Sequence, residues 1–301
     1  MNWQTNLKER NTLKWSDRLK PIDESHIHPH LLIEAPCDLG VMRNGGKRGA
    51  KHGPQAITSV LKKMVPLSTD STAITALSTG VSLEEEIEHF PSVQQRETDL
   101  IKGSLPDHLK KIAHLGGGHD HIYPLINAFL ERYPKEEVLI LNIDAHLDTR
   151  ADEQTHSGTP FRQLFKKFGK RLHLVQIGIH SFANHPTNFE DMGEMEVLHW
   201  HESDTLKKSL KVILSQHSDK TLCLSLDCDG LDGSYMSAVS APNHRGLSQD
   251  QFWSVFKSCQ EFWHQSEHPA LYGVYEFNPL FDDLSTRAAR FVASSLFDFY
   301  E

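Results

Sequence analysis

Two nearly continuous apolar runs, Val138-Leu-Ile-Leu-Asn-Ile143 and Thr221-Leu-Cys-Leu-Ser-Leu226, stand out along the chain. A short stretch apolar on both of its faces predicts a strand buried on both sides. Leu31–Pro36, Ile112–Leu115, Leu172–Ile179, Glu196–Trp200 and Leu271–Glu276 extend the series. Between or after them, apolar residues recur three and four apart, as at Ile122, Leu125, Ile126, Phe129 and Leu130. That spacing predicts helices over about 54–64, 120–132, 159–168, 204–216, 248–264 and 283–299. Strand and helix in alternation predict an α/β fold, a three-layer α/β/α sandwich around a mostly parallel sheet. Residues 1–30 are polar and irregular, with Trp3 and Trp15 the large anchors, and predict an N-terminal arm or short helix. No repeat and no linker rich in Pro, Gly or Ser divides residues 31–301, which read as one domain.

The polar residues that follow these strands change the picture. Asp144-Ala-His146-Leu-Asp148 follows one apolar run and Asp227-Cys-Asp229 the other. In extended chain, residues two apart point the same way, so Asp144, His146 and Asp148 share one side and Asp227 and Asp229 share another. Four carboxylates and an imidazole at the mouth of a buried sheet carry heavy desolvation and repulsion unless cations neutralise them. Oxygen ligands with imidazole, and no thiolate at ligand spacing, suit Mn²⁺ better than zinc. Histidine is a poor ligand for calcium, which sets a structural calcium site aside. Ile112-Ala-His-Leu-Gly-Gly-Gly-His119 supplies a third element, a strand entering a glycine turn that presents His119 at the start of a helix. No G-x-G-x-x-G follows a strand, which argues against a dinucleotide site.

Composition narrows the class. A net charge of −9, with no basic stripe interleaved with aromatics, argues against nucleic acid as a partner. The acidic run Glu84-Glu-Glu-Ile-Glu88 reads as a solvated helix face, and His26-Ile-His28-Pro-His30 looks like a metal tract but, with its proline and loop position, reads as a chance grouping. Cys37, Cys223, Cys228 and Cys259 show no metal-ligand spacing and read as free thiols of a reducing cytoplasm. No apolar stretch reaches membrane length, and the polar N-terminus lacks a signal peptide's apolar segment. The expectation is a cytoplasmic protein acting on a small molecule, with no nucleic-acid or membrane partner; a homo-oligomer is possible.

Gly116-Gly-Gly-His119, Asp144-Ala-His-Leu-Asp148, Ser225-Leu-Asp-Cys-Asp229 and Glu276-Phe-Asn-Pro279 resemble, in order and spacing, the signatures of the ureohydrolase family of arginases, agmatinases and formimidoylglutamases. The resemblance implies an arginase-like catalytic domain holding two Mn²⁺. His119, Asp144, Asp148 and Asp227 would hold one ion, and Asp144, His146, Asp227 and Asp229 the other. A water shared by the two ions would act as nucleophile near neutral pH. Asp148 would accept its proton, and Glu276 would bind the cationic amidine or guanidine of the substrate.

Departures within the resemblance separate its branches. Arginases and agmatinases carry His-Gly-x-Pro after the second motif, whereas this chain reads His156-Ser157-Gly158-Thr159-Pro160, with Ser157 at the histidine position and His156 one residue off. Ser157-Gly-Thr-Pro-Phe161, Asp148-Thr-Arg150, Gly40-Val-Met-Arg43-Asn44 through Arg48, and Ser240-Ala-Pro-Asn-His-Arg245-Gly246 resemble the formimidoylglutamase patterns. Asp120 stands where many relatives carry glutamate. The implied reaction is hydrolysis of N-formimidoyl-L-glutamate to L-glutamate and formamide, a step of histidine degradation. A substrate with two carboxylates calls for arginine forks. Arg150 and Arg245 are the first candidates for this role, with Arg43, Asn44 and Ser157 beside them and Arg48 more remote. The alternatives are an agmatinase or other guanidino or amidino hydrolase and, in another class, a non-catalytic binding protein on the same fold.

Overall fold

The computed structural model describes residues 14–23, 27–67, 72–80 and 89–301. Trp3, the Glu84–Glu88 run and His26 therefore lie outside the described residues. In chain order the elements are β1 (Leu19–Pro21), β2 (His30–Ala35), α1 (Leu39–Arg43), α2 (Gly53–Leu61), β3 (Ile74–Ser78), α3 (Phe90–Ser104), β4 (Lys111–Gly116) and α4 (Ile122–Arg132). They continue with β5 (Val138–Ile143), α5 (Pro160–Phe168), β6 (Leu172–Ile177), β7 (Met195–Leu198), α6 (Ser203–Gln216), β8 (Thr221–Asp227), α7 (Gln249–Gln265), β9 (Ala270–Tyr275) and α8 (Arg287–Tyr300). The nine strands form one sheet in the order β1-β3-β2-β4-β9-β8-β5-β6-β7. Every pairing is parallel.

Alternation along the strands builds the layers. Leu139, Leu141 and Ile143 of β5 point into one core with residues of α2, α6, α7 and α8. Val138 and Ile140 point into the other with residues of α3, α4 and α5. Both faces of the sheet are thus covered, the reason its central strands carry few polar residues. β9 comes last in the chain yet lies at the centre, between β4 and β8.

The strands read from the apolar runs are present within about two residues. Two of them end at residues with positive φ: β6 stops before Gly178 (φ 101°) and β9 before Glu276 (φ 60°). Four elements had no sequence signal strong enough to read: β1, α1, β3 and α3. The part of the expected N-terminal arm described here is a 3₁₀ turn, Trp15–Arg18, leading into β1 at the sheet edge. Trp15 is fully buried, and Arg18 pairs with Glu301 across 2.5 Å, so this segment is packed on the domain. All four cysteines are free and buried. No helix among the described residues is long and apolar enough to cross a membrane.

Candidate metal centre

Four adjacent central strands, β4, β9, β8 and β5, each deliver acidic or imidazole side chains just beyond their carboxyl ends, where open parallel sheets bind ligands. After β4 the chain turns through Gly117 and Gly118 into a 3₁₀ turn, His119–His121. A Cβ on Gly117 would lie 2.0 Å from the Cys37 carbonyl oxygen, so a backbone this close to its neighbour requires glycine. β8 runs into Asp227, whose Oδ1 accepts from the Asp229 N–H at 2.9 Å. Asp144 follows β5, and its Oδ1 accepts from the His146 N–H at 2.7 Å. These short turns aim residues two apart in the chain at one space.

Two groups of donors converge there. His119, Asp144, Asp148 and Asp227 form one buried set, and Asp144, His146 and Asp229 an adjoining one. His119 Nδ1 lies 3.0, 2.9 and 3.2 Å from oxygens of Asp144, Asp148 and Asp227. Despite that crowding, it makes no hydrogen bond to any of them. Its Nε2 is 2.9 Å from Ser225 Oγ, which can accept the ring N–H and leave the Nδ1 lone pair facing the carboxylates. Donors spaced about 3 Å apart match the edges of an octahedron with metal–ligand bonds of about 2.1 Å. In the second set, His146 Nδ1 lies 3.3 Å from Asp229 and 3.5 Å from Asp144, and Asp229 Oδ1 is buried without a partner. The donor set fits a pair of hard divalent cations.

The electrostatics lead to the same demand. Burial, reinforced by Asp229 and Asp144, pushes the Asp227 carboxyl well above its usual range. Burial and Asp144 raise Asp148. Burial also drives Glu276 well up, helped by Asp229, Asp120 and Asp148. Burial opposes the charged form of His119, but Asp144, Asp148 and Asp227 outweigh it and push its pKa well up. No lysine or arginine forms an ion pair with these carboxylates among the described residues. Without a bound cation, the charge that faces these carboxylates comes from the cluster's own imidazoles, His119 and His146.

Two backbone positions are held against their preference here. Asp148 (φ 50°) and Glu276 (φ 60°) sit in the left-handed region, at about 1–2 kcal/mol each for a non-glycine residue. Their neighbours secure them: the Asp148 carbonyl accepts from the Phe161 N–H at 3.2 Å, and the Glu276 N–H donates to the Gly117 carbonyl at 2.9 Å. The result turns both carboxylates into a cavity of about 160 Å³.

His146, Asp148, Asp227, Asp229, Glu276, Asn44, Arg150 and Ser157 all line that cavity. Arg150 Nη1 donates to Asn44 Oδ1 at 2.7 Å, and Asn44 Nδ2 donates to Ser157 Oγ at 3.1 Å. His156 is turned away: it contacts Asp152 at 2.8 Å through Nε2 and accepts from the Gly158 N–H at 3.0 Å through Nδ1. The other arginines lie elsewhere. Arg43 donates to the Thr155 carbonyl at 2.8 Å and lies over the Phe90 ring. Arg245 and Arg48 are exposed and do not line the cavity.

Sequence reading missed a buried group behind His119. Glu97 of α3 meets His121 Nδ1 at 2.6 Å and His114 Nε2 at 3.1 Å. His114 Nδ1 in turn lies 3.1 Å from the Tyr275 hydroxyl, and the Tyr275 ring stacks on His119 at 5.1 Å. Burial opposes the Glu97 charge, but the two histidines hold its pKa down to about 2. The only available signal was His121 two residues after His119, with nothing to tie it to position 97. Asp120 is buried in space left by Gly40 and Gly118, and burial pushes it up to about 6.

A sequence profile of the arginase family matches residues 29–300. The chain belongs to the arginase family. Formimidoylglutamase of Staphylococcus aureus (strain MRSA252) is 29% identical over 269 residues, covering 87% of this chain and 82% of that protein. Among solved structures of the arginase fold, formimidoylglutamase of Bacillus subtilis superposes with a TM-score of 0.78 at 21% identity, covering 96% of this chain and 91% of that one. Formiminoglutamase of Trypanosoma cruzi with Mn²⁺ gives 0.74 at 23%, covering 95% and 97%. The expected three-layer architecture is therefore the arginase-like one, here with a fully parallel sheet among the described residues.

Proposed function

We propose that this arginase-family hydrolase cleaves N-formimidoyl-L-glutamate to L-glutamate and formamide, as a cytoplasmic step of histidine degradation, with two Mn²⁺ per chain. The observation that carries the metal part is the His119 Nδ1 atom, buried among three carboxylate oxygens at 2.9–3.2 Å and hydrogen-bonded to none. His119, Asp144, Asp148 and Asp227 would hold one ion; Asp144, His146 and Asp229 would hold the other, with Asp227 shared. When bound, such a pair acidifies a water and offsets negative charge that develops in the transition state.

The chain's own residues supply the rest. Asp148 accepts the proton of the attacking water and passes it to the glutamate nitrogen as the bond from that nitrogen to the formimidoyl carbon breaks. Glu276, buried at the cavity wall, pairs with the amidinium in a charge-assisted contact. Arg150 takes a substrate carboxylate, since its guanidinium carries further N–H donors beyond the one engaged by Asn44. Asn44 and Ser157 border the same space.

Substrate class rests on the loop after β5. Ser157 lines the cavity and His156 is tied to Asp152, consistent with a hydrolase that lacks the assisting histidine of arginases and agmatinases. The S. aureus relative named a formimidoylglutamase favours the same branch. Formamide release from N-formimidoyl-L-glutamate, measured with and without added Mn²⁺, tests the reading. Metal-dependent release is expected, with arginine and agmatine poor substrates; faster hydrolysis of agmatine would overturn it.

A further inference from the structure

A second cluster of metal-type donors lies at the other end of the sheet. His173 is the second residue of β6, so it stands near the amino end of that strand, whereas the candidate metal centre lies beyond the carboxyl ends. Glu196 sits on the neighbouring edge strand β7, and His217 caps the carboxyl end of α6. One ligand atom from each of the three lies within 4.8 Å of the other two. The two imidazole rings are 4.2 Å apart between centroids. We propose that His173, Glu196 and His217 bind a third divalent ion, of the zinc type, distinct from the pair at the cavity.

Donor chemistry, geometry and charge support that assignment. Two imidazoles and one carboxylate are a set that zinc favours, with the fourth position left to water. The cavity set is richer in carboxylate, so the two sites select different ions. His173 is 93% buried and has a carboxylate at each ring nitrogen: Glu194 at 3.2 Å from Nδ1 and Glu196 at 2.8 Å from Nε2. With Nδ1–H donated to Glu194, the Nε2 lone pair is turned to the side of Glu196, the carboxylate–histidine arrangement that orients an imidazole for a metal. A dication also balances Glu194 and Glu196 with both imidazoles neutral. The carboxyl end of α6 adds partial negative charge at the same corner. Lys220, close enough in the chain to compete, is paired with Glu137.

Such an ion would clamp β7, which among the described residues pairs within the sheet only with β6, to the end of α6. Untagged protein loaded with Mn²⁺ is dialysed against one equivalent of Zn²⁺, and both metals are counted by mass spectrometry. The expected result is one Zn²⁺ gained per chain with both Mn²⁺ retained. His217→Ala and Glu196→Gln, both at half-buried or exposed positions that should fold normally, should each lose the Zn²⁺ and keep the Mn²⁺. Three outcomes would overturn the proposal: no Zn²⁺ retained, Zn²⁺ gained only as Mn²⁺ leaves, or Zn²⁺ retained unchanged by both variants. The first would mean that a proton alone bridges His173 and its two glutamates.

Discussion

Ser225→Ala isolates one half of the metal centre without touching a ligand. Ser225 Oγ, on fully buried β8, lies 2.9 Å from His119 Nε2 and is that atom's hydrogen-bond partner. Removing the hydroxyl leaves the ring N–H of a residue only 1% exposed without its partner. An unpaired buried donor costs about 1–3 kcal/mol. At about 1.36 kcal/mol per factor of ten, that is roughly a 5- to 150-fold loss of affinity, in line with the 10- to 100-fold typical of residues that orient a ligand. Only the set that contains His119 should weaken; the set of Asp144, His146 and Asp229 should keep its ion. Isothermal titration of metal-stripped protein with Mn²⁺ should therefore change from two tight events in the parent to one tight and one weakened event in the variant. At saturating Mn²⁺ the KM should be unchanged and kcat within a few-fold. Two unweakened events, or equal weakening of both, would refute the assignment of Ser225 to the His119 ion.

Arg150→Ala should raise KM for N-formimidoyl-L-glutamate by roughly tenfold to a hundredfold with both metals retained, the loss of one charged hydrogen bond at about 1.5–3 kcal/mol. Arg245→Ala should change KM by less than about threefold in the same steady-state assay, because that side chain lies outside the cavity. His156→Ala should keep most of the turnover; a fall of three orders of magnitude at unchanged metal content would return the catalytic role to that histidine. Asp227→Asn should lower Mn²⁺ content at both positions, measured by elemental analysis, and full activity in a chelator-stripped preparation would sink the two-metal reading. Glu97→Ala leaves His114 and His121 without their buried carboxylate and should cost about 3–5 kcal/mol of stability in urea unfolding.

How much of this was legible in the sequence depends on where the physical signal is carried. β5 and β8 were readable because both faces are covered, so nearly every position is apolar, and the aspartates after them break the pattern abruptly. β3 and α3 were not. Ile74-Thr-Ala-Leu-Ser78 is short and mixed, and the inward face of α3 carries Gln94, Glu97 and Thr98 where the helical pattern would require apolar residues. Glu97 was hidden for that reason: a polar residue satisfied by histidines on other elements looks solvated in one dimension. The arginines show a different limit. Arg150 and Arg245 both flank metal motifs in the chain, yet only Arg150 turns into the cavity, a direction set by its bond to Asn44, 106 residues away.

The position of β9 has a consequence for how the protein is made. Its first four strands form one half of the sheet and β5–β8 the other, and among the described residues β9 alone joins them. On the ribosome both halves can form before residues 270–275 emerge, each exposing the unpaired backbone edge of a strand, β4 or β8, that is buried in the finished molecule. Until that last insertion, His119 is separated from Asp227 by the missing strand, and the nascent chain cannot assemble the full set of donors. The donor set that contains His119 is thus completed only when the sheet closes, and the interval before closure is when this chain is most exposed to edge-to-edge aggregation.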